Sequence, residues 1–318
     1  MNISVENGGD YSPIAVHRLI APDSASGRRL DQVLAELLPE HSRARLQAWV
    51  KEGRVTVDGS IEPEGKRRLK GGETLLLAPG VDSRAAAGTP EDIPLAVVFE
   101  DDALLVIDKP AGLVVHPGSG NWSGTLMNAL LHRCPELAEV PRAGIVHRLD
   151  KETSGLLVVA RSLAAQTDLV RQLQARSVKR QYLAVAAGGL ERDGQVEAPI
   201  GRHPVQRTRM AVVSEGRGGK PALTRYRILE RFARCTLVEC SLETGRTHQI
   251  RVHMASIGHP LVGDPVYGRG NPKIPAFHRQ ALHAVRLGLV HPGSGARLEW
   301  QSPLPGDFNA LLETLRGS

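Results

Sequence analysis

The sequence predicts a mixed α+β protein of two domains, a small one at the N-terminus and a larger one built on a largely antiparallel sheet. Strand-like and helix-like segments do not alternate regularly, which disfavours a doubly wound parallel sheet. No segment repeats at a period of roughly 20–50 residues. The chain has 318 residues, enough for two domains, and 41% of them are hydrophobic, enough for packed cores.

Composition disfavours several classes of protein. No apolar run approaches the roughly 18 residues that a membrane-spanning helix needs. The N-terminus lacks the basic and apolar regions of a secretory signal. Cys134, Cys235 and Cys240 are odd in number and form no CxxC pair, which disfavours a disulfide framework and a zinc site. We therefore expect a cytoplasmic protein without a membrane partner.

Charge is distributed unevenly along the chain, whose net charge is +6. Residues 161–290 contain 21 Lys or Arg against 9 Asp or Glu, whereas residues 81–160 contain 6 against 11. A long basic stretch indicates contact with a polyanion, because phosphate contacts supply most non-specific affinity for nucleic acids. Charge alone is equally compatible with a solvated basic surface.

The N-terminal domain is predicted over residues 28–80, after a flexible tail over residues 1–27. Apolar residues at helical spacing predict two short helices, and a strand that enters an Asp-Gly turn follows them. The apolar positions are Leu30, Val33, Leu34, Leu37 and Leu38 on the first helix and Leu46, Trp49 and Val50 on the second. Residues 81–92 are small and polar, which predicts a linker to a domain over residues 93–318.

This order of elements resembles an S4 RNA-binding module. The residues that carry the resemblance are Arg29-Leu30-Asp31, Ser42-Arg43-Ala44-Arg45 and Gly53-Arg54-Val55-Thr56-Val57-Asp58-Gly59. The resemblance implies that Arg43, Arg45 and Arg54 belong to a basic, RNA-binding face. The alternative is a small helical domain with ordinary surface arginines.

In the larger domain, apolar runs and turn residues predict a series of strands and two helices. Strands are predicted at residues 97–100, 104–107, 156–160, 181–186, 224–230 and 236–242, and helices at residues 126–132 and 164–175. Between two of these elements lies the run Gly144-Ile145-Val146-His147-Arg148-Leu149-Asp150-Lys151-Glu152-Thr153-Ser154-Gly155. Such a loop can hold Asp150 rigidly at the end of a buried strand, although a solvated charged turn has the same composition.

The run around Asp150 resembles the signature of the RluA family of pseudouridine synthases, in which the aspartate is essential. Two further segments resemble the family, Lys179-Arg180-Gln181-Tyr182-Leu183-Ala184 and Thr244-Gly245-Arg246-Thr247-His248-Gln249-Ile250-Arg251-Val252-His253. The resemblance extends from about residue 28 to residue 312. It implies that Asp150, Tyr182 and Arg251 are catalytic, with Arg251 as the partner of the aspartate. A guanidinium within ion-pair reach keeps an enclosed carboxylate ionised.

The family's reaction breaks the N1–C1′ bond of uridine, rotates the base and joins C5 to C1′. The aspartate would attack C1′, remove a proton from C2′, or add to C6 of the base; the sequence leaves these routes open. The uridine must leave the RNA stack, so we expect Arg148 to enter the gap and His147 and Arg246 to contact RNA.

No cofactor and no metal are expected. The chain contains no Walker loop, GxGxxG or HExxH motif, and His248 and His253 are five residues apart, on different faces of a helix. The resemblance implies a monomer acting on large-subunit (23S) rRNA or a pre-50S particle, at an intersubunit-bridge stem-loop. The alternatives are the same chemistry on tRNA or another rRNA site, and a non-catalytic assembly factor that binds rRNA.

Overall fold

A computed structural model describes residues 16–79, 85–118, 120–206, 208–268 and 272–317. The chain divides into two compact units, Met1–Ala85 and Ala86–Ser318. The division falls within the predicted linker at residues 81–92. Residues 80–84 lie outside the described ranges, as do residues 1–15 of the predicted tail. In the described ranges, no helix is long and apolar enough to cross a membrane.

The N-terminal unit packs two helices on a four-stranded antiparallel sheet in the order β1-β4-β2-β3. Its elements are β1 (His17–Ile20), α1 (Leu30–Leu37), α2 (Arg43–Lys51), β2 (Val55–Val57), β3 (Ser60–Ile61) and β4 (Thr74–Leu77). The predicted tail was therefore too long, because β1 pairs with β4 in the register His17↔Leu77. The sequence of β1 gives little indication of a strand, because Leu19 is its only residue that packs against the apolar core.

A buried carboxylate joins the two helices of this unit. The side chain of Asp31 is fully buried and accepts hydrogen bonds from Arg29 Nε at 2.9 Å, Arg43 Nη2 at 2.8 Å and Gln47 Nε2. Arg43, which the sequence assigned to the RNA-binding face, therefore has a structural partner, although 45% of its side chain remains exposed. Its predicted RNA contact stays a prediction.

The other two arginines of the predicted RNA-binding face also have local partners. Arg45 lies over the indole of Trp49, with Cζ 5.4 Å from the ring centroid. Arg54 Nε donates to Glu52 Oε2 at 2.9 Å, and 41% of the Arg54 side chain is exposed. Both keep their charge near the surface of the N-terminal unit.

The larger unit is built on one nine-stranded mixed sheet and a separate two-stranded hairpin, β10-β11. Its strands are β5 (Ala96–Glu100), β6 (Leu104–Lys109), β7 (Ser154–Ala160), β8 (Lys179–Ala187), β9 (Gly194–Glu197), β10 (Ile200–Arg202), β11 (Met210–Val212), β12 (Leu223–Arg231), β13 (Cys235–Leu242), β14 (Leu282–Val290) and β15 (Arg297–Gln301). Its helices are α3 (Leu126–Arg133), α4 (Leu163–Gln174), α5 (Gln249–Ser256) and α6 (Gly306–Arg316).

The large sheet runs in the order β5-β6-β7-β14-β8-β13-β12-β9, with β15 added to β14. Within the described residues β7 and β14 pair in parallel, and the other neighbours are antiparallel. The predicted α+β class with a mixed, largely antiparallel sheet is confirmed. The parallel pairing covers two residues of each strand, and β15 then takes the same edge of β14.

Helices cover both faces of this sheet. Leu105 and Ile107 of β6 pack in the same core as α3 and α5, whereas Leu104 and Val106 pack with α4 on the opposite face. Alternate residues of a strand point to opposite faces, so a strand that is covered on both sides is apolar throughout. That explains why β6 and β7 are continuous apolar runs. Helix α6 packs against a third core through Phe308 and neighbouring leucines.

We predict that Asp31→Asn destabilises the N-terminal unit by about 2 kcal/mol at pH 7, because hydrogen bonds to a charged group are lost. Burial raises the pKa of Asp31, but hydrogen bonds from Gln47, Arg43 and Arg29 lower it overall below 3.8. The carboxylate therefore stabilises the fold above its unfolded pKa, and the stabilisation is lost as the pH falls through the lower, folded value.

Urea unfolding is monitored by the hydrogen exchange of residues 30–51, at pH 7 and near pH 3. The difference between wild type and variant should narrow at the lower pH. Glu36→Gln on the same helix is the matched control, since its ion pair with Arg28 is exposed and should contribute little to stability. Equal midpoints for Asp31→Asn and wild type at pH 7 would contradict the prediction.

Candidate active site

A cleft of about 570 Å³ opens in the larger unit beside the loop that precedes β7. The ends of β8 and β13 and the first turn of α5 also line it. Asp150, Tyr182 and Arg251, the three predicted catalytic residues, all lie on its walls. The lining also includes three of the predicted RNA-binding residues, His147, Arg148 and Arg246.

The four residues after Asp150 are held by side chains from elsewhere in the unit, two through their backbone carbonyls and two through their hydroxyl groups. Lys109 comes from the end of β6, Arg279 and Gln280 from the segment before β14, and His283 from β14 itself. The contacts are Lys109 Nζ to Lys151 O at 3.0 Å, Arg279 Nη1 to Glu152 O at 3.1 Å, Gln280 Nε2 to Thr153 Oγ1 at 3.1 Å, and His283 Nδ1 with Ser154 Oγ at 3.0 Å. The loop therefore presents Asp150 from a rigid frame.

Lys109 is fully buried, and its ammonium group donates to three backbone carbonyls, those of Pro110, Leu113 and Lys151. Burial lowers the pKa of Lys109 to about 7, against the opposing influence of Glu152 and Asp150. Three acceptors match the three N–H groups of the protonated amine. Lys109 thus holds the loop by binding backbone carbonyls, and it does not line the cleft.

Gly155 marks the point where β7 meets β14. Its φ is +111°, and a Cβ at this position would lie 2.3 Å from the carbonyl oxygen of Ala284. A side chain there would separate the only two residue pairs that join β7 to β14 in the described structure. Glycine is therefore required for the strand contact that follows the Asp150 loop.

Arg251 is the third residue of the buried helix α5, and its guanidinium bridges two carboxylates. Its Nη1 donates to Asp150 Oδ2 at 2.9 Å, while Nε and Nη2 donate to Asp264 at 2.7 and 2.9 Å. Asp264 Oδ1 also accepts from the backbone N–H groups of Val266 and Tyr267. Burial opposes the charge of Arg251, but the two carboxylates raise its pKa above the ordinary value. Asp150 therefore faces a permanent cation.

His248 and Tyr267 extend this network on the other side of Asp150. His248 Nε2 lies 3.8 Å from Asp150 Oδ1, and Nδ1 lies 2.8 Å from the hydroxyl of Tyr267. That hydroxyl accepts from the backbone N–H of Met210, so we assign its proton to His248 Nδ1, which leaves the imidazole proton on Nε2. Burial lowers the pKa of His248, which favours this neutral form.

Sequence reasoning did not assign His248, Asp264 or Tyr267 to the site. Nothing in the sequence indicated that Asp264 would reach Arg251, 13 positions earlier in the chain. His248 was considered only as a metal ligand. Its backbone adopts φ +57° at the N-terminus of α5, an unusual conformation for a residue other than glycine or asparagine.

Tyr182 lies on β8, inside the cleft, with 6% of its surface exposed. Burial raises the pKa of its hydroxyl, nearby Arg180 lowers it, and Asp150 raises it, with a net increase. The side chain is therefore a neutral phenol in the free enzyme. It offers an aromatic face and one exchangeable proton next to the carboxylate.

The predicted RNA-binding residues of the cleft differ in their surroundings. Arg148 and Arg246 are exposed, and Arg246 Nε donates to the carbonyl of Pro221 at 3.2 Å. His147 Nε2 accepts from the backbone N–H of Val158 at 3.1 Å. Burial and Arg180 lower the pKa of His147 to about 3. His147 is therefore an uncharged support for the loop, and its contact with RNA stays a prediction.

One group in the described ranges has three potential metal ligands within 4.8 Å of one another, namely His17, Glu40 and His41. It belongs to the N-terminal unit, and none of the three lines the cleft. In the cleft, the carboxylate of Asp150 forms an ion pair with Arg251. The expectation that no metal takes part in the chemistry stays a prediction.

We predict that Asp264→Asn destabilises the larger unit by roughly 3 kcal/mol, because it removes the charged partner of two buried hydrogen bonds from Arg251. Urea unfolding at pH 7 measures the change. Glu230→Gln is the control, since Glu230 pairs with Arg316 at the exposed end of α6 and its loss should change stability much less. A loss for Asp264→Asn no larger than that of the control would show that Arg251 does not need this carboxylate.

Comparison with known proteins identifies the two units. Residues 103–256 match the family described as RNA pseudouridylate synthase, and residues 28–75 match the S4 domain. Ribosomal large subunit pseudouridine synthase D of Nitrosomonas europaea is 59% identical over 94% of this chain and 87% of its own length. The protein of the same name from Pseudomonas aeruginosa is 54% identical over 93% of this chain and 94% of its own.

Solved structures agree with this result. Human RNA Pseudouridylate Synthase Domain Containing 1 is 28% identical, with a TM-score of 0.54 over 72% of this chain and 97% of its own. Human RNA Pseudouridylate Synthase Domain Containing 4 is 27% identical, with a TM-score of 0.55 over 70% of this chain and 93% of its own. Both resemblances inferred from the sequence are confirmed. The chain belongs to the RluA-type family of RNA pseudouridine synthases and carries an S4 domain at its N-terminus.

Proposed function

We propose that this enzyme isomerises uridines of large-subunit (23S) rRNA to pseudouridine, at an intersubunit-bridge stem-loop, with Asp150 as its catalytic carboxylate. The observation that carries the proposal is the ion pair of Asp150 with Arg251 in a cleft that also holds Tyr182. We choose rRNA as the substrate because relatives that align with nearly the whole chain are named ribosomal large subunit pseudouridine synthase D. We propose that the protein acts as a monomer in the cytoplasm, on free rRNA or on a pre-50S particle.

The geometry of Asp150 suits a reaction that starts with an ionised carboxylate. Arg251 occupies Oδ2, while Oδ1 faces His248 at 3.8 Å, a distance that leaves room at this oxygen. Oδ1 would attack C1′ or remove the proton on C2′. In either route the N1–C1′ bond breaks, and its electron pair leaves with the uracil, which then carries negative charge.

The second half of the reaction needs rotation of the uracil and transfer of a proton. In the nucleophilic route the carboxylate of Asp150 leaves C1′ as C5 bonds to it. In the glycal route Asp150 returns its proton to C2′ as C5 adds to C1′. In both routes C5 afterwards loses its proton. Tyr182 is placed to stack on the uracil and to relay this proton through its hydroxyl. Arg251 cannot take part in proton transfer, because its pKa is raised further by the two carboxylates. It acts by holding the charge of Asp150.

Access to the base requires that the uridine leave the stack. Arg148 is exposed on the wall of the cleft and lies two residues before Asp150, so a flipped uridine at Asp150 brings the vacated gap close to Arg148. We propose that its guanidinium fills that gap and that Arg246 contacts the backbone of the same RNA. The S4 domain would add affinity through Arg45 and Arg54, and through the exposed part of Arg43.

The first test is release of tritium from RNA labelled at C5 of uridine. Wild-type enzyme should release tritium from large-subunit rRNA, and Asp150→Ala or Asp150→Asn should reduce the rate by roughly 10³-fold or more. Asp102→Asn, on the exposed turn between β5 and β6, is the matched control and should retain the wild-type rate.

The outcomes separate the competing functions. Release from tRNA alone would preserve the enzyme and change its substrate. No release from any uridine-containing RNA would favour the non-catalytic assembly factor. Release by Asp150→Ala at the wild-type rate would remove Asp150 from the mechanism.

A second test concerns the S4 domain. Arg45→Gln combined with Arg54→Gln should weaken binding to large-subunit rRNA and reduce the slope of log K against log salt by up to about 0.9 per lost contact. Slow turnover of short stem-loops should remain. Arg43 is left in place, because its loss would also leave the buried Asp31 short of a partner.

The control is Arg316→Gln, which removes one charge from an exposed pair with Glu230 in the other unit. Binding constants measured between 50 and 200 mM KCl, roughly the range in which phosphate contacts dominate, give the slopes. A slope that changes no more per charge than in the control would mean that the S4 arginines make no phosphate contacts.

A further inference from the structure

Arg180 is a buried cation of the cleft for which the mechanism above has no use. It lies at the start of β8, two residues before Tyr182, and only 7% of it is exposed. Its Nε is buried without a hydrogen-bond partner, and its Nη2 reaches the carbonyl of Glu243 only at 3.5 Å. Burial lowers the pKa of Arg180. The guanidinium is therefore poorly satisfied in the free enzyme.

The other buried arginines of the larger unit show what is missing. Arg251 has Asp150 and Asp264, and Arg279 forms two hydrogen bonds with Asp307 at 2.6 and 2.9 Å. Among the described residues, no carboxylate forms an ion pair with Arg180. A buried charge without a counter-ion carries a desolvation penalty, which falls when an anion binds.

An anion in the cleft can reach this guanidinium. Arg180 lines the cleft, whose volume is about 570 Å³. Gly245 lines it as well, and a Cβ at this position would lie 2.7 Å from Arg180 Nη1, so the absence of a side chain there gives the guanidinium its place in the wall. His147 of the Asp150 loop, which is close enough for Arg180 to lower its pKa, is uncharged and offers Arg180 no counter-ion.

We propose that Arg180 binds a phosphodiester of the substrate RNA, at a linkage adjoining the uridine that enters the cleft. The proposal rests on the proposed function in one respect, namely that the ligand is RNA. The phosphodiester is the anion that RNA carries, and the planar fork of a guanidinium matches two of its oxygens. Residues two apart on a strand share a face, so the phosphate lies on the same side of β8 as Tyr182 and therefore beside the base.

This arrangement gives Arg180 a role distinct from that of Arg148. Arg148 is exposed and would occupy the stack that the uridine leaves. Arg180 would hold the backbone of the extruded nucleotide inside the cleft, which fixes the position of C1′ relative to Asp150. The binding energy would come from neutralising a charge that the folded protein leaves without an anion.

The test measures binding in the Asp150→Asn background, so that the RNA is not converted. The RNA is a large-subunit rRNA fragment from which wild-type enzyme has first released tritium. Arg180→Gln should reduce the slope of log K against log KCl by about 0.7 to 0.9, and Arg180→Lys by less. Arg316→Gln, which removes the same charge from an exposed pair, should leave the slope unchanged.

A second arm identifies the phosphate. A single methylphosphonate, which removes one negative charge, is placed at the linkage 5′ or 3′ of the target uridine. At one of these linkages the methylphosphonate should weaken RNA binding about tenfold or more for the protein that retains Arg180. It should not weaken RNA binding for the protein with Arg180→Gln. Equal sensitivity of both proteins at both linkages would overturn the proposal, since Arg180 would then contact the base or serve the fold.

A third variant covers the case in which Arg180→Gln does not fold, as judged by circular dichroism. Gly245→Ala displaces the guanidinium and should abolish the methylphosphonate effect at the same linkage. An unaltered methylphosphonate effect in Gly245→Ala would overturn the proposal. Failure of the wild type to release tritium from large-subunit rRNA would instead overturn the proposed substrate, and the binding arms would then be repeated on the RNA that does react.

Discussion

The site depends on the guanidinium of Arg251, which binds two carboxylates. The two, Asp264 and Asp150, differ in the number of hydrogen bonds that they accept. Asp264 accepts two hydrogen bonds from Arg251 and two from backbone N–H groups, so it is satisfied within the protein. With Nε and Nη2 both held, the plane of Arg251 cannot rotate, and Nη1 points at Asp150 before any substrate arrives. Asp150 receives a single hydrogen bond from this fixed donor, at Oδ2, which leaves its second oxygen available for the reaction.

The fold supplies the matching rigidity on the side of Asp150. The two central strands β7 and β14 pair for only two residues, at the point where the loop ends, before β15 takes over the edge of β14. That short junction brings Gln280 and His283 against Thr153 and Ser154, and Lys109 reaches the same loop from β6. A reactive carboxylate held by backbone contacts on a sheet is placed more accurately than one on a free surface loop.

The sequence predicted the elements whose pattern is local. Strands such as β6 and β7 are continuous apolar runs because both of their faces are covered, and the predicted helices follow a regular apolar spacing. The sequence did not predict β14, because its buried His283 and half-buried Arg286 interrupt the apolar pattern. Their partners include Ser154 and Gln181, which are more than 100 residues away in the chain. Catalytic residues came from resemblance, whereas Asp264, His248 and Tyr267 join the site only through the tertiary fold.

The two buried arginines of the cleft suggest how substrate binding and catalysis are divided. Arg251 has its anions within the protein, so its charge is balanced with or without RNA, and its task is to hold Asp150 ionised. Arg180 has no such partner among the described residues, so on the proposal above its charge is balanced only when a phosphodiester enters. The RNA backbone then gains affinity at the position where it orders the nucleotide for reaction.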